Sequence, residues 1–326
     1  MQHPIINQQL CAQLKPLHLA NPQPLTEAEQ QYSAFYGIDF DTENPEINHS
    51  MGYFDSIHYR VACHYYWKAS NQGTAFVVHG YYDHVGLYGN LIKFLLDQNL
   101  NVVCFDLPGH GLSSGNRACI ADFTDYVTAL KQCISIATDS TAKPWFLLGQ
   151  STGGAVITDY LLTEKFTPNN SPFSKIVLFA PLIRPKNWGM IELAHRFLGS
   201  LLSNVKRSFA PNSHDETFLH FVKHQDPLQP SHSSVKWLGA LREWIKRIEH
   251  MPPSSLSPII IQGKDDQTVD WQYNIPVLQK LFSEPTVFYL PTAKHHLVNE
   301  SSSIRTAYFD YLKDILFTTS QTERFG

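Results

Sequence analysis

Cysteine, basic clusters and long apolar runs are all scarce in this chain of 326 residues. Its 5 scattered cysteines, with no Cys-x-x-Cys pair, indicate neither a disulfide framework nor a cysteine-based zinc site. A net charge of −4 without a long basic run argues against nucleic acid as a partner. No apolar run is long enough to span a bilayer, and residues 1–25 lack the pattern of a signal peptide. We therefore expect a cytoplasmic protein, and transient contact with a membrane surface stays open.

The composition, 43% hydrophobic and 17% charged, is typical of a globular protein. From Met51 onward, short and nearly all-apolar runs alternate with helical patterns. This alternation predicts an α/β fold with a mostly parallel sheet covered by helices on both faces. The predicted strands of this parallel set lie near Thr74–Gly80, Val102–Asp106, Trp145–Leu148, Lys175–Pro181, Pro258–Gly263 and Thr286–Leu290.

The alternation stops after Pro181 and resumes at Pro258. Residues 183–251 contain no recognisable strand and predict helices near Trp188–Leu202, Asp215–His224 and Val235–Ile248. Their many aromatic residues fit either ordinary core or a lid over an acyl-chain pocket. We therefore divide the chain into an N-terminal arm (1–48), a first core part (49–182), a helical insertion (183–251) and a second core part (252–326).

The sequence Gly149-Gln150-Ser151-Thr152-Gly153 lies between a predicted strand and a predicted helix. In that context the Gly-x-Ser-x-Gly pattern predicts a sharp turn that lifts the Ser151 hydroxyl above the sheet edge. The turn also aims the N-terminus of the next helix at the reacting atom, where free N–H groups favour negative charge. Ser151 is therefore the candidate nucleophile.

A serine hydroxyl needs a base within hydrogen-bond reach, and an imidazole needs an acid that fixes its tautomer. In an open parallel sheet, such groups come from the carboxyl ends of successive strands. The order Ser, Asp, His along the chain fits this arrangement. We favour Asp266 over Asp265 as the acid, because Asp266 stands three residues after Gly263. His295 and His296, after the final strand, are both candidates for the base, and Asp270 reads as a helix cap.

Two backbone N–H groups are candidates for stabilising an oxyanion. One belongs to Tyr81, directly after the His79-Gly80 turn, and the other belongs to Thr152, directly after the nucleophile. Other histidine and acid clusters lack the spacing of a known metal motif, so we expect no metal and no cofactor. These clusters are formed by His79, Asp83, His84, Asp106 and His110.

Five segments in this order resemble the α/β-hydrolase superfamily, and within it the monoacylglycerol lipase and lysophospholipase group of serine hydrolases. They are His79–Tyr88, Asp106–Gly115, Gly149–Gly154, Gly263–Asp270 and Ala293–Glu300. The resemblance runs from about Met51 to the last predicted helix. It implies an α/β-hydrolase fold in which residues 183–251 form a helical cap over the pocket.

By the same resemblance, Ser151, Asp266 and His295 would form the catalytic triad, and it is this resemblance that favours His295 over His296. The N–H groups of Tyr81 and Thr152 would form the oxyanion hole. The implied activity is hydrolysis of a lipid-like carboxylic ester, of lysophospholipid or monoacylglycerol type, through an acyl-enzyme. An acyltransferase or amidase with the same triad, or a non-catalytic binding protein on this fold, is the alternative.

The chain departs from the group at two positions. The group usually has His before the nucleophile and Met after it, where this chain has Gln150 and Thr152. These side chains bear on substrate preference more than on the triad. The first forty-odd residues match no known pattern.

Overall fold

The structure is a computed structural model that describes residues 8–199 and 202–317. Its strands are β1 (Asn48–Ser56), β2 (Tyr59–Trp67), β3 (Thr74–Val78), β4 (Asn101–Phe105), β5 (Trp145–Gln150), β6 (Phe173–Phe179), β7 (Asn204–Lys206), β8 (His232–Ser234), β9 (Ile259–Gly263) and β10 (Thr286–Leu290). Its α-helices are α1 (Gln8–Gln13), α2 (Glu27–Tyr36), α3 (Phe40–Glu43), α4 (Gly89–Asp97), α5 (Thr124–Ala137), α6 (Thr152–Thr163), α7 (Trp188–Leu198), α8 (Glu216–His224), α9 (Val235–Ile248), α10 (Trp271–Leu281) and α11 (Ser302–Leu316).

Eight strands form the main sheet, in the order β1-β2-β4-β3-β5-β6-β9-β10. β2 is antiparallel to both of its neighbours, and all other pairs are parallel. In the register of the central strands, Gly149 of β5 lies between Val78 of β3 and Leu178 of β6. The C-terminal ends of β3, β5 and β6 therefore lie side by side at the same edge of the sheet. The predicted α/β-hydrolase architecture is confirmed.

Helices cover both faces of this sheet. Every residue of β3, β4 and β5 is buried, as expected for parallel strands packed on both sides. Alternate side chains of β5 enter two different cores: Leu147 packs in the core that holds α5 and α6, whereas Leu148 packs in the core that holds α4 and α11. The sheet edge that carries the strand ends is thus held from two sides.

The segment 183–251, which we call the cap segment, contains α7, α8 and α9 as expected, but it also contains two strands. β7 and β8 pair in antiparallel register, with Asn204 opposite Ser234 and Lys206 opposite His232. The prediction that this segment holds no strand is wrong. Three-residue strands are too short for a period-two pattern to stand out. The first helix also ends earlier than expected, at Leu198.

The N-terminal residues pack along β1 and β2. The main chains of Leu17 and Tyr53 are linked by a hydrogen bond of 2.8 Å, and Leu14 and Tyr32 are buried in the core. Within this arm, α2 begins directly after Thr26. In the described ranges, no helix is long and apolar enough to cross a membrane.

Candidate active site

Ser151 lies at a strained turn between β5 and α6. Its backbone has φ 53° and ψ −113°, a region that non-glycine residues occupy at a cost of about 1–3 kcal/mol. The turn is held because the Ser151 N–H donates to the Phe179 carbonyl oxygen at 2.8 Å. Glycines allow the close approach: a Cβ at Gly149 would lie 2.7 Å from Gly153 backbone, and a Cβ at Gly153 would collide with the Val78 carbonyl oxygen.

Three side chains from three strand ends meet at this turn. His295 Nε2 lies 3.0 Å from Ser151 Oγ, and His295 Nδ1 lies 2.7 Å from Asp266 Oδ2. Asp266 follows β9, and His295 follows β10. All three residues are buried. With a proton on Nδ1 facing the carboxylate, Nε2 is left as an acceptor for the serine hydroxyl.

The carboxylate of Asp266 is held in its charged form. Burial alone would raise its pKa, but His295 and the backbone N–H groups of Val269 and Thr268 outweigh burial, so the pKa of Asp266 lies below its usual value. Asp266 Oδ1 accepts from Thr268 N–H at 2.8 Å and from Val269 N–H at 3.1 Å. The loop after β9 therefore fixes both the position and the charge of this acid.

The alternative residues lie elsewhere. Asp265 is exposed, whereas Asp266 is fully buried. His296 Nε2 lies 3.2 Å from Asp83 Oδ1 and makes no hydrogen bond to Ser151 among the described residues. Asp270 stands at the N-cap of α10, but its side chain makes no capping hydrogen bond. The geometry thus joins Ser151 to Asp266 and His295.

The loop after β3 lies against Ser151. A Cβ built at Gly80 would lie 3.3 Å from the Ser151 Cβ. The backbone N–H of the next residue, Tyr81, is therefore also close to Ser151. Thr152 is the first residue of α6, where N–H groups have no partner within the helix. Among the described residues, neither the Tyr81 nor the Thr152 N–H donates a hydrogen bond. Both donors are available to a developing negative charge.

The His79 side chain holds this loop in place through hydrogen bonds to the backbone. Its Nε2 accepts from the Leu107 N–H at 2.8 Å, which leaves Nδ1 to donate to the Gly80 carbonyl oxygen at 2.7 Å. Burial lowers the pKa of His79 to about 3, so the ring is neutral and this tautomer is maintained. The Gly80 N–H in turn donates to the Tyr88 hydroxyl at 2.8 Å.

The other histidine and acid clusters of the sequence have structural partners. Asp106 accepts from the backbone N–H groups of Val85 and Leu112, each at 2.7 Å. His84 Nε2 lies 2.9 Å from Asp226 Oδ2 in the cap segment. Within residues 8–199 and 202–317, no group of three or more His, Cys, Asp or Glu side chains is arranged to hold a metal ion.

A pocket of about 490 Å³ opens above Ser151 and lies under the cap segment. Gln150, Ser151 and His295 form its floor, and Tyr82, Arg207 and Asn212 are among its polar wall residues. The rest of its wall is mainly apolar, as in most sites for small organic ligands. The apolar wall residues are Leu182, Pro185, Ile191, Ala194, Leu202, Val205, Val235, Trp237, Leu238 and Val269.

The sequence did not reveal the contacts of three side chains around this site, although Gln150 and Asp83 had been considered for other roles. Gln150 Nε2 donates to the main-chain oxygen of His295 at 2.8 Å. Asp83 holds His296 and accepts from Tyr88 at 3.0 Å. Asp226 joins the cap segment to the loop after β3 through His84. The polar Gln150 in a buried strand was a usable signal for the first, whereas the other two depend on pairings more than a hundred residues apart.

Comparison with known proteins adds a family to this geometry. The model of the family described as serine aminopeptidase, S33, matches residues 69–302. Monoglyceride lipase of Rattus norvegicus is 32% identical over 219 residues, which cover 63% of this chain and 69% of the relative. Phospholipase YtpA of Bacillus subtilis is 28% identical over 216 residues, covering 63% of this chain and 80% of the relative.

Solved structures agree on the fold. A soluble variant of monoglyceride lipase from Saccharomyces cerevisiae, in complex with a substrate analog, superposes with a TM-score of 0.67 at 16% identity. That match covers 82% of this chain and 94% of the yeast chain. At this level of identity the similarity establishes the fold of the chain.

Proposed function

This chain belongs to the serine aminopeptidase S33 family of α/β-hydrolases, and we propose that it cleaves monoacyl lipid esters through an acyl-enzyme on Ser151. Within the family it lies in the group that resembles monoglyceride lipases. Membership makes it a hydrolase of the lipase or esterase type. The catalytic assignment is supported by one observation above all. Ser151 Oγ, His295 and Asp266 form a continuous hydrogen-bonded chain at the floor of a largely apolar pocket.

In the proposed acylation, Ser151 Oγ attacks the ester carbonyl carbon while His295 Nε2 takes the hydroxyl proton. The carbonyl oxygen becomes an oxyanion and accepts hydrogen bonds from the N–H groups of Tyr81 and Thr152. Asp266 stabilises the positive imidazole without taking its proton. As the tetrahedral intermediate collapses, the ester C–O bond breaks and His295 returns the proton to the leaving alcohol.

Deacylation repeats the same sequence with water. His295 removes a proton from the water, and the resulting hydroxide attacks the acyl carbon bound to Ser151. The second oxyanion uses the same two N–H groups, and its collapse breaks the bond to Ser151 Oγ. The proton on His295 then returns to the serine oxygen, which releases a carboxylic acid and restores the free enzyme.

A single acyl chain suits the pocket. Its walls are mainly apolar, which favours a hydrocarbon chain, while polar groups gather beside Ser151 and along the cap segment. Burial of each methylene group of such a chain contributes about 0.8 kcal/mol. The relatives named monoglyceride lipase and phospholipase add support for a monoacylglycerol or lysophospholipid ester as the substrate class.

One face of α7 supports transient contact with a lipid surface. Met190, Leu193 and Phe197 share this face and are 68%, 56% and 68% exposed. On the opposite side of the same helix, Ile191 and His195 line the pocket. An apolar face of this kind is unusual on the surface of a soluble domain. We assign it to the surface of the lipid layer from which the substrate enters.

The test is labelling by a fluorophosphonate probe combined with release of fatty acid from a monoacylglycerol. We expect the wild-type protein to be labelled and to release fatty acid, and Ser151→Ala to lose both. Ser303→Ala, which changes an exposed serine of α11, is the matched control and keeps both. Lack of labelling of the wild type would overturn the proposal.

Product analysis separates the alternatives. Free fatty acid as the main product in the presence of added glycerol supports hydrolysis, whereas a new ester of the acceptor indicates acyl transfer. Tight retention of the lipid without turnover indicates a binding protein on this fold.

A further inference from the structure

Arg207 is a cation in the wall of the substrate pocket. It follows β7 directly, and its backbone N–H donates to the Ser231 carbonyl oxygen at 3.0 Å, which continues the β7–β8 ladder. Side chains alternate along such a strand. Val205 and Arg207 accordingly line the pocket, whereas Lys206 between them is exposed and does not.

The guanidinium group of Arg207 is held in a fixed orientation. Its carbon lies 4.0 Å from the ring centroid of Tyr82 and 4.3 Å from that of Phe209. Nη1 donates to the side-chain oxygen of Gln229 and, at 3.5 Å, to the carbonyl oxygen of Pro230. These contacts occupy the ring-facing surface and one end of the group, so the side chain is pre-positioned before any ligand arrives.

The remaining edge of the guanidinium has no partner in the described part of the chain. Among the described residues, neither Nε nor Nη2 of Arg207 makes a hydrogen bond, and no carboxylate oxygen lies within the 4.0 Å of an ion pair. Arg184 differs from Arg207 in this respect. It also stacks on an aromatic ring, that of Tyr273, but its Nε and Nη2 each donate to Glu249 at 3.0 Å. The same edge that Arg184 uses for a carboxylate is unused in Arg207.

The nearest acids are already neutralised by other residues. Asp83 and Asp226 both act on Arg207 electrostatically, but only at a distance. Asp83 is paired with His296 at 3.2 Å, and Asp226 is paired with His84 at 2.9 Å. Arg207 is half-buried in the structure, and this burial lowers the pKa of its guanidinium group. A partly buried cation without a counterion is costly, so a function for its charge is indicated.

We propose that the Nε–Nη2 edge of Arg207 binds an anionic oxygen group of the substrate, a phosphate or a carboxylate, and so selects charged monoacyl esters over neutral ones. This inference deepens the proposed function and rests on it. Two parallel N–H donors match two oxygens of either group. The hydroxyls of Tyr82 and Ser233 lie within hydrogen-bond distance of each other in the same wall. Because one of them donates to the other, the pair leaves one neutral O–H donor beside the cation.

The experiment measures binding without turnover. The Ser151→Ala protein is titrated by calorimetry with three octyl ethers that no esterase can cleave: 1-O-octylglycerol-3-phosphate, 3-O-octylglycerate and neutral 1-O-octylglycerol. We expect the phosphate or the carboxylate ether to bind at least about tenfold more tightly than the neutral ether, as charge-assisted hydrogen bonds typically provide. Which anion binds better identifies the charged group.

Variants at neighbouring positions assign the effect to one side chain. In the Ser151→Ala background, Arg207→Gln should reduce the anionic preference to within about twofold, and Arg207→Lys should restore part of it, because lysine keeps the charge but lacks the two-pronged edge. Lys206→Gln removes the same charge one residue away and should leave the preference unchanged. Labelling of the corresponding Ser151 proteins by fluorophosphonate reports whether each variant is folded.

Two results would overturn this inference: equal binding of all three ethers, or an anionic preference that survives Arg207→Gln. Neither result touches the proposed function, which is judged by labelling and fatty acid release. Conversely, absent labelling with intact anionic preference would remove the hydrolase activity and keep the anion site.

Discussion

The side-chain amide of Gln150 donates a 2.8 Å hydrogen bond to the main-chain oxygen of His295. Gln150 is the last residue of β5 and directly precedes Ser151, and His295 lies in the loop after β10. The strand that leads to Ser151 is therefore tied to the loop that carries His295, independently of the contact between Ser151 Oγ and His295 Nε2. We infer that Gln150 positions the imidazole of His295.

We predict that Gln150→Leu lowers kcat about tenfold, with KM changed by less than about twofold, because a misplaced base affects the transition state more than binding. Gln150→His is the matched variant, since an imidazole retains an N–H donor at this position. It should stay within about threefold of the wild type. Steady-state kinetics on a soluble monoacyl ester measure both, and an equal loss in the two variants would contradict the positioning role.

Asp266→Asn should lower kcat by about three to four orders of magnitude, because the amide favours the wrong imidazole tautomer. Asp265→Asn changes the exposed neighbouring acid and should leave kcat within about twofold. The comparison is made by hydrolysis kinetics together with circular dichroism as a check on folding. Similar losses in both variants would mean that Asp266 has no special role.

Replacing Met190, Leu193 and Phe197 together by serine should weaken association with phosphatidylcholine vesicles by at least about tenfold, since each exposed apolar side chain contributes about 1 kcal/mol or more to lipid burial. Ile57→Ser changes a 52% exposed side chain in the β1–β2 turn and should leave association unchanged. Vesicle co-sedimentation provides the measurement. Full association of the triple variant would show that α7 is not the contacting face.

The buried pair of His84 and Asp226 should make stability depend on pH. Burial opposes the charge on both groups, but the partner and other nearby groups together outweigh it. Asp106 and Asp83 help Asp226 to raise the pKa of His84. Hydrogen bonds from Tyr36 and Gln229 help His84 to lower the pKa of Asp226. The stabilisation due to Asp226 is complete above its unfolded pKa of 3.8 and is lost as pH falls through the folded pKa. That due to His84 is complete below 6.5 and is lost as pH rises through its raised folded pKa.

Asp226→Asn should therefore be less stable than the wild type by about 2 kcal/mol between roughly pH 4 and 6.5, with the difference shrinking on both sides. Asp97→Asn breaks an exposed pair with Lys93 and should change stability by less than about 1 kcal/mol throughout. Thermal unfolding across pH 3–9 measures the difference. A pH-independent gap for Asp226→Asn would show that the pair is not charged.

Local patterns in the sequence allowed prediction of the fold and of Ser151 and Asp266, whereas the choice of His295 over His296 came from the family resemblance. Apolar runs mark the strands, and Ser151, Asp266 and His295 each follow a strand whose end is fixed by the parallel register. The loop after β3 was found for the same reason. Their catalytic roles stay predictions until the variants are measured.

What the sequence did not reveal depends on contacts between distant segments. β7 and β8 are three residues long and lie 25 residues apart, too short and too distant for a recognisable hairpin signal. The unpaired edge of Arg207 is visible only when its neighbours are placed, since any surface arginine has the same sequence signature. The role of Asp226 likewise could not be predicted from the sequence, because it depends on the contact with His84.

The Tyr36 hydroxyl donates to Asp226 Oδ1 at 2.7 Å, while Oδ2 of the same carboxylate faces His84. The Asp226 carboxylate therefore connects three parts of the molecule: the N-terminal arm, the loop after β3 and the cap segment. Trimming the chain back to β1 would strip Leu14 and Tyr32 from the interior and leave this carboxylate short of a donor. Recombinant fragments designed on the hydrolase domain alone should therefore keep α2. Without α2, we expect the cap segment to be held less firmly, while the turn at Ser151 stays intact.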